Sequence, residues 1–208
     1  ATHPDVVIFG FQPEDALRDQ NVFRPLYFAG TEVPLSKPRF VLDGEDLRLV
    51  NSPPLRPDEM VPALAGISTH PLRPYERFLD ARYDQAWWQR SKLAAFLVAL
   101  ATGDNAPGAA GTFRLDPEAC DLARRIVERF AAEVEASGAR FLVVHLPRRE
   151  DFDARAGGRA LWYAELLDAL AVEYPVVEIG VDMKPLREDD FTPHGHYGAR
   201  LNQLVADA

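Results

Sequence analysis

Apolar residues occur along this chain in two alternating patterns, and together they predict its secondary structure. Nearly continuous apolar runs are typical of strands buried on both faces of a parallel sheet, and three such runs occupy residues 5–11, 141–146 and 176–179. Elsewhere apolar residues recur near the helical period, which predicts helices over residues 75–102, 117–137, 159–173 and 198–208. Asp116 and Pro117 are suited to start the second of these helices, and Gly138 to end it.

The stretch from residue 34 to residue 74 interrupts this alternation. Asp43 and Gly44 lie between the apolar segments 40–42 and 47–50, which is a hairpin signal. Residues 51–74 are rich in proline and predict a long irregular loop. We therefore expect one domain over residues 1–208, with an inserted hairpin and proline-rich loop at about 34–74.

Strands that alternate with helices predict an α/β fold, here a three-layer α/β/α sandwich around a mainly parallel sheet. Sites in such sheets lie at the carboxyl ends of the strands, which here are residues 10–15, 145–147 and 180–196. A chain rarely starts at its own central strand, so we expect the domain's first strand or strands to precede residue 1. The sheet would then have an open edge, which predicts self-association.

Composition excludes several classes of protein. The net charge is −9, with 32 acidic against 23 basic residues, which argues against a nucleic-acid partner. Cys120 is the single cysteine, so neither a disulfide framework nor a cysteine-based zinc site is expected. No apolar run approaches the roughly 18 residues of a membrane span, and glycine-rich nucleotide motifs are absent from the sequence. We predict no metal and no cofactor.

The segment from Asp189 to Tyr197 holds the densest group of chemically active residues. It follows the last predicted strand and contains two acids and two histidines: Asp189, Asp190, His194 and His196. A histidine oriented by a carboxylate is what activates a serine nucleophile. The alternative interpretation is a polar loop with a helix-capping histidine, and spacing alone leaves both open.

Two short motifs resemble the SGNH (GDSL-type) hydrolase superfamily. Residues 10–15, Gly-Phe-Gln-Pro-Glu-Asp, stand where that superfamily has a strand followed by a Gly-x-Asn-Asp type motif. Residues 195–202, Gly-His-Tyr-Gly-Ala-Arg-Leu-Asn, resemble its last block. The similarity spans most of the chain and implies a flavodoxin-like sheet. It also implies a serine esterase or O-acyltransferase that acts on acyl esters, often of carbohydrates. Members of this superfamily are often extracytoplasmic or membrane-tethered, although this sequence shows no targeting signal of its own.

Carried over to this sequence, the resemblance makes His196 the general base and Asp190 its orienting acid. His194 is the alternative base, because Asp190 then lies four residues ahead of it. Asp189 and Asp182 are the alternative acids. The choice among them stays open at this point.

The resemblance also places the loop of Gly10, Glu14 and Asp15 near the developing oxyanion. The superfamily's oxyanion-hole asparagine is replaced by Glu14, whose carboxylate accepts hydrogen bonds and cannot donate them. Asn21 is a substitute donor.

A Gly-Asp-Ser motif is absent from the sequence, and the five serines (Ser36, Ser52, Ser68, Ser91 and Ser137) lie in unsuitable segments. The nucleophile is therefore expected upstream of this chain. The alternative is a catalytically inactive SGNH-like module that binds a glycan or a protein partner.

Overall fold

The structure is a computed structural model that describes residues 3–27, 34–77, 117–179, 186–192 and 195–207. The chain divides into two compact units. Unit 1 comprises residues 1–16 and 115–208, and unit 2 comprises residues 17–114. The predicted insertion at about 34–74 lies within unit 2. That the whole chain is one domain stays a prediction.

The described residues of unit 1 form a mixed α/β structure on a three-stranded parallel sheet, whose strands, Val6–Phe11, Arg140–His145 and Val176–Glu178, pair in that order. The predicted strands are present, and a helix follows each of them. The elements of this unit are β1 (Val6–Phe11), α1 (Pro13–Arg18, which runs on into unit 2), α4 (Pro117–Ala136), β4 (Arg140–His145), α5 (Arg149–Ala156), α6 (Ala164–Glu173), β5 (Val176–Glu178) and α7 (Ala199–Asp207).

The main core of unit 1 lies between one face of the sheet and two helices, α4 and α6. Alternate residues of a strand face the same side of a sheet, and the apolar ones on this side meet the apolar stripes of both helices. The buried side chains at the centre of this core are Phe11, Phe141 and Val143 from the strands, Val127 and Ala131 from α4, and Leu166 and Leu170 from α6.

Strand β1 is more exposed than its sequence predicts. The apolar run over 5–11 predicts burial on both faces, yet the side chains of Val6 and Ile8 are 37% and 62% exposed. In the described sheet β1 pairs with β4 alone, and its alternate residues Val7 and Phe9 pack on the core. Two-sided burial is therefore wrong for this strand, because a run of apolar residues does not report how many faces are covered. Self-association through this edge stays a prediction.

One helix of unit 1 is shorter than predicted and another was not predicted. The helix expected over 159–173 begins only at Ala164. Helix α5 has too little apolar periodicity to be recognised, because Asp151 and Phe152 are its buried residues. Its first turn is stabilised by the Asp151 carboxylate, which accepts the Arg148 backbone N–H at 2.7 Å.

The described residues of unit 2 contain the predicted hairpin and two helices. The elements are α2 (Arg24–Tyr27), β2 (Arg39–Asp43), β3 (Asp46–Val50) and α3 (Pro57–Ala65). The antiparallel hairpin pairs Asp43 with Asp46, and Gly44 between them has a φ of +63°. Glycine is suited to this position because it has no Cβ to clash in the left-handed region.

The proline-rich stretch over 51–74 is not irregular throughout. Helix α3 forms within it, and Pro57 occupies the first helical position, where a missing N–H leaves no hydrogen bond unmade. The apolar residues of this proline-rich segment recur at helical spacing. The buried ones are Met60, Ala63, Leu64 and Ile67, and they pack with Val22, Phe23 and Leu26 in the core of unit 2.

The helix predicted over 75–102 falls almost entirely outside the described residues. Its first residue, Tyr75, ends a short 3₁₀ turn, Arg73–Tyr75. Among the helices that the structure describes, none has the length and apolar character required to cross a membrane.

Candidate functional site

The carboxyl ends of the three parallel strands lie at one edge of the sheet in unit 1. The register places Phe11 beside His145, and His145 beside Glu178. An ion pair between Arg148 and Glu14 joins the loop after β4 to helix α1, which follows β1. The predicted meeting of these strand ends is therefore observed.

The terminal loop before α7 packs against the same edge. The Tyr197 hydroxyl donates to the Pro147 carbonyl at 2.7 Å, and the Arg149 guanidinium lies over the Phe191 ring, 4.9 Å from its centre. Phe191 also packs with Phe152 of α5. These contacts place Phe191 and Tyr197 beside the segment that follows β4.

Backbone hydrogen bonds close the terminal loop on itself. The Thr192 N–H donates to the His196 carbonyl and the Gly198 N–H to the Asp190 carbonyl, both at 2.7 Å. Gly195 has a φ of +81°, which favours glycine. A Cβ on Gly198 would lie 2.0 Å from the Asp189 carbonyl oxygen, so the two ends of the loop approach too closely for any side chain.

His196 projects from this closed loop with its side chain exposed to solvent. Its backbone N–H donates to the Thr192 hydroxyl at 3.1 Å. Within the described part of the chain its ring makes no hydrogen bond or ion pair. The imidazole is therefore accessible to a molecule that approaches this edge of the sheet.

Asp190 is bound to a residue other than His196. Its carboxylate is fully buried and accepts from the Arg200 guanidinium, with an Nε–Oδ1 distance of 2.6 Å, and from the Arg187 backbone N–H at 2.6 Å. The Arg200 hydrogen bonds hold the pKa of this carboxyl below its usual value. The structure therefore places Asp190 as the anchor of the terminal loop, and does not bring it to His196.

Of the alternative base, His194, and the alternative acids, Asp182 and Asp189, the structure describes Asp189. His194 and Asp182 lie outside the described residues. Asp189 is exposed in the 3₁₀ turn Glu188–Asp190.

The predicted oxyanion loop is held by charge pairing. Glu14 is bound to Arg148, so its negative charge is offset. Gly10 lies in β1, where a Cβ would come within 3.1 Å of the Leu146 side chain. Asp15 is exposed, and its backbone N–H donates to the Gln12 carbonyl at 2.9 Å.

Asn21 belongs to unit 2 and has a structural partner there. Its side chain is fully buried, and its amide donates to the Glu76 carboxylate at 2.5 Å. This bond favours a structural role for Asn21, because the amide is already used.

A buried histidine lies at the end of β4, and the sequence does not predict which group it meets. His145 is fully buried and its Nε2 lies 2.9 Å from the Tyr163 hydroxyl. Burial lowers the pKa of His145 to about 4, against the raising effect of Glu178. The sequence held a weak signal, a histidine inside an apolar strand, but nothing pairs residue 145 with residue 163 before the chain folds.

The described serines do not resemble nucleophiles. The Ser137 hydroxyl donates to the Val134 carbonyl at 2.6 Å, and the Ser36 hydroxyl accepts the Leu55 N–H at 2.9 Å. Ser52 and Ser68 are exposed in loop and 3₁₀ segments of unit 2. Ser91 lies outside the described residues. Among those residues no group of His, Cys, Asp and Glu side chains is arranged to hold a metal ion.

Comparison with known proteins adds no identification. No protein-family model, curated protein or solved structure matches this chain.

Proposed function

We propose that this chain is the histidine-bearing part of an SGNH-like serine esterase or O-acyltransferase, with His196 as general base and a nucleophile supplied upstream of residue 1. The proposal includes a three-layer α/β/α sandwich for unit 1. The observation that carries it is the position of His196, exposed on a closed loop at the carboxyl edge of a parallel sheet. Catalytic residues of open α/β sheets are found at this edge.

The chemistry follows from the exposed imidazole. His196 would accept the proton of a serine hydroxyl as its oxygen attacks the ester carbonyl, and would return the proton to the leaving alcohol. Asp190 acts differently from the usual orienting acid, since Arg200 holds both of its oxygens. We therefore assign Asp190 and Arg200 to positioning the loop, with Asp189 or Asp182 left as the acid that orients the base.

The pairing of Glu14 with Arg148 supports the same proposal. A free carboxylate at this position would oppose a developing oxyanion. The Arg148 guanidinium offsets that charge. An ester carbonyl can then be polarised here by other donors without facing an uncompensated anion.

The proposal is tested by labelling the full-length protein, with its upstream sequence, with a fluorophosphonate probe. This probe reacts only with an activated serine. We expect labelling, and its loss by about 100-fold or more in His196→Ala. The matched control is His3→Ala, an exposed histidine outside the site, which should label as the wild type does. Equal labelling of both variants would contradict the role of His196.

A second function, a non-catalytic module that binds a glycan or a protein partner, is favoured by two observations. Both candidate carboxylates, Glu14 and Asp190, are neutralised by arginines. The described serines are also unsuited to catalysis. An unlabelled full-length protein that binds acylated oligosaccharides without releasing the acyl group would support this second function.

A further inference from the structure

Arg149, the first residue of α5, lies at the carboxyl edge of the sheet without a carboxylate partner. It forms no ion pair within the part of the chain that the structure describes. Its guanidinium carbon lies 4.9 Å from the centre of the Phe191 ring, and its Nη2 lies 3.4 Å from the Glu188 carbonyl oxygen. Other arginines nearby are neutralised: Arg148 pairs with Glu14, Arg155 with Glu178, and Arg200 with Asp190.

Phe191 gives the Arg149 guanidinium a fixed support. The Phe191 ring is 6% exposed and packs edge-on against Phe152 and Tyr197. A guanidinium has five N–H donors, and a contact with an aromatic ring leaves most of them available. The hydrogen bond to the Glu188 carbonyl is long. Arg149 is therefore a positioned, half-buried cation with donors to spare.

The backbone that supports Arg149 also carries the candidate base. Phe191 and Tyr197 pair in an antiparallel bridge, and the Thr192 N–H donates to the His196 carbonyl at 2.7 Å. Paired backbones of this kind lie about 5 Å apart. A group bound at Arg149 therefore lies beside the loop from which His196 projects.

The charge of the surroundings indicates which anion suits Arg149. A guanidinium binds carboxylates and phosphates through two parallel N–H donors. The Glu188 and Asp189 side chains are exposed in the adjacent 3₁₀ turn. Their negative charges repel a doubly charged phosphate more than a singly charged carboxylate. A carboxylate is therefore the favoured ligand.

We propose that Arg149 binds a carboxylate of the substrate, so that the site takes esters of carboxylate-bearing sugars. The inference rests on the proposed function, because it names the substrate class of that same site. Binding of the carboxylate requires no nucleophile, and it is measured separately from the reaction.

The first test compares two ligands on the full-length protein with its upstream sequence. Methyl glucuronoside and methyl glucoside differ in a carboxylate against a hydroxymethyl group, and their affinities are measured by isothermal titration calorimetry. We expect the glucuronoside to bind about tenfold more tightly or better, as for hydrogen bonds to a charged group. Added salt should reduce this preference. Equal affinities, or no binding of either ligand, would overturn the proposal.

The second test assigns the preference to Arg149. Arg149→Gln should lose the preference for the glucuronoside. Arg140→Gln should keep it, because Arg140 is exposed at the start of β4, at the opposite edge of the sheet. A preference that survives in Arg149→Gln would overturn the assignment.

A conservative variant keeps the assignment testable if Arg149→Gln fails to fold. Arg149→Lys retains the charge and lacks the planar pair of donors. We expect it to bind the glucuronoside severalfold more weakly than the wild type. Unchanged affinity in Arg149→Lys would overturn two-donor binding of the carboxylate.

Fluorophosphonate labelling of the same preparation distinguishes a failure of this inference from a failure of the proposed function. An unlabelled protein that prefers the glucuronoside would support the carboxylate site and contradict the proposed reaction. A labelled protein without the preference would contradict the role of Arg149 alone.

Discussion

Two carboxylates, one in each unit, are nearly inaccessible to solvent, yet their pKa values are shifted in opposite directions. Asp190 in unit 1 is fully buried, and Glu76 in unit 2 is 5% exposed. Hydrogen bonds from Arg200 lower the pKa of Asp190. Burial raises the pKa of Glu76 to about 7, although three hydrogen bonds act against it.

The difference lies in what donates to each group. Asp190 receives hydrogen bonds from a guanidinium, whose charge replaces the stabilisation that water gives a carboxylate. Glu76 receives them from the amide of Asn21 and the backbone N–H groups of Val22 and Phe23, which carry no net charge. Arg39 lowers its pKa only at longer range. Burial alone therefore does not predict the charge state, and the partner decides it.

The largest expected effect comes from the backbone that encloses Asp190. In Gly198→Ala the new Cβ would lie 2.0 Å from the Asp189 carbonyl oxygen, which a rigid backbone cannot accommodate. We expect the free energy of unfolding to fall by about 3–5 kcal/mol, measured by urea denaturation. Gly195→Ala is the control: its φ is positive but nothing lies within 4 Å of the new Cβ, so a loss of about 1 kcal/mol is expected. Similar losses in both variants would contradict the close approach.

Removal of the positive charge of Arg200 is expected to have the next largest effect on stability. Arg200→Met leaves the buried Asp190 carboxylate with the Arg187 backbone N–H but without its guanidinium partner, which should lower the free energy of unfolding at pH 7. Because the folded-state pKa of Asp190 is lowered, the stabilisation is present above its ordinary value of 3.8 and is lost as pH falls below it. The loss in Arg200→Met should therefore shrink in acid.

The double variant Asp190→Asn with Arg200→Met is the matched control, since it removes both charges together. Chemical denaturation should show it to be more stable than Arg200→Met alone. A double variant that is no more stable would mean that Asp190 carries little charge in the folded protein.

The smallest of the three effects concerns Glu76. Its folded-state pKa is raised from 4.5 to about 7, so its contribution to stability is full below about pH 4.5 and is lost as pH rises through about 7. Relative to Glu76→Gln, which does not titrate, the wild type should lose roughly 2 kcal/mol of stability between these pH values.

The quantity to measure is the difference in the free energy of unfolding between the wild type and Glu76→Gln. The reason is that the contribution of His145 to stability changes with pH in the opposite direction. Its pKa is lowered from 6.5 to about 4, so its contribution is present above 6.5 and is lost as pH falls. This contribution cancels in the comparison of the wild type with Glu76→Gln. A constant difference across the range would show that Glu76 keeps its charge when buried.

Some structural features follow from local sequence alone. The described part of helix α4 runs from Pro117 to Ala136, and the chain after it turns through Gly138, the residue predicted to end it, with a φ of +86°. The hairpin at Gly44 is likewise predicted by Asp43 and Gly44 between two apolar segments. These signals depend on the conformational limits of proline and glycine and on hydrogen bonds within a few residues.

Other features depend on contacts between distant residues. Asp190 lies six positions before His196, which suggests that they act together, but Arg200, four residues after His196, binds the carboxylate instead. The sequence offers the Asn21 amide as an oxyanion donor, but in the structure this amide donates to the Glu76 carboxylate, 55 residues away. Spacing indicates which residues share a loop, and it does not indicate which partner a side chain meets.

The sequence by itself determined the alternation of strands and helices, the parallel sheet of unit 1 and the loop that carries His196. Those follow from apolar periodicity and turn chemistry, which act over a few residues. The tertiary structure alone decided that β1 has an exposed face, that Asp190 serves as an anchor, and that His145 meets Tyr163. Each of these depends on which groups lose water together when the chain packs, and desolvation is a property of the whole fold.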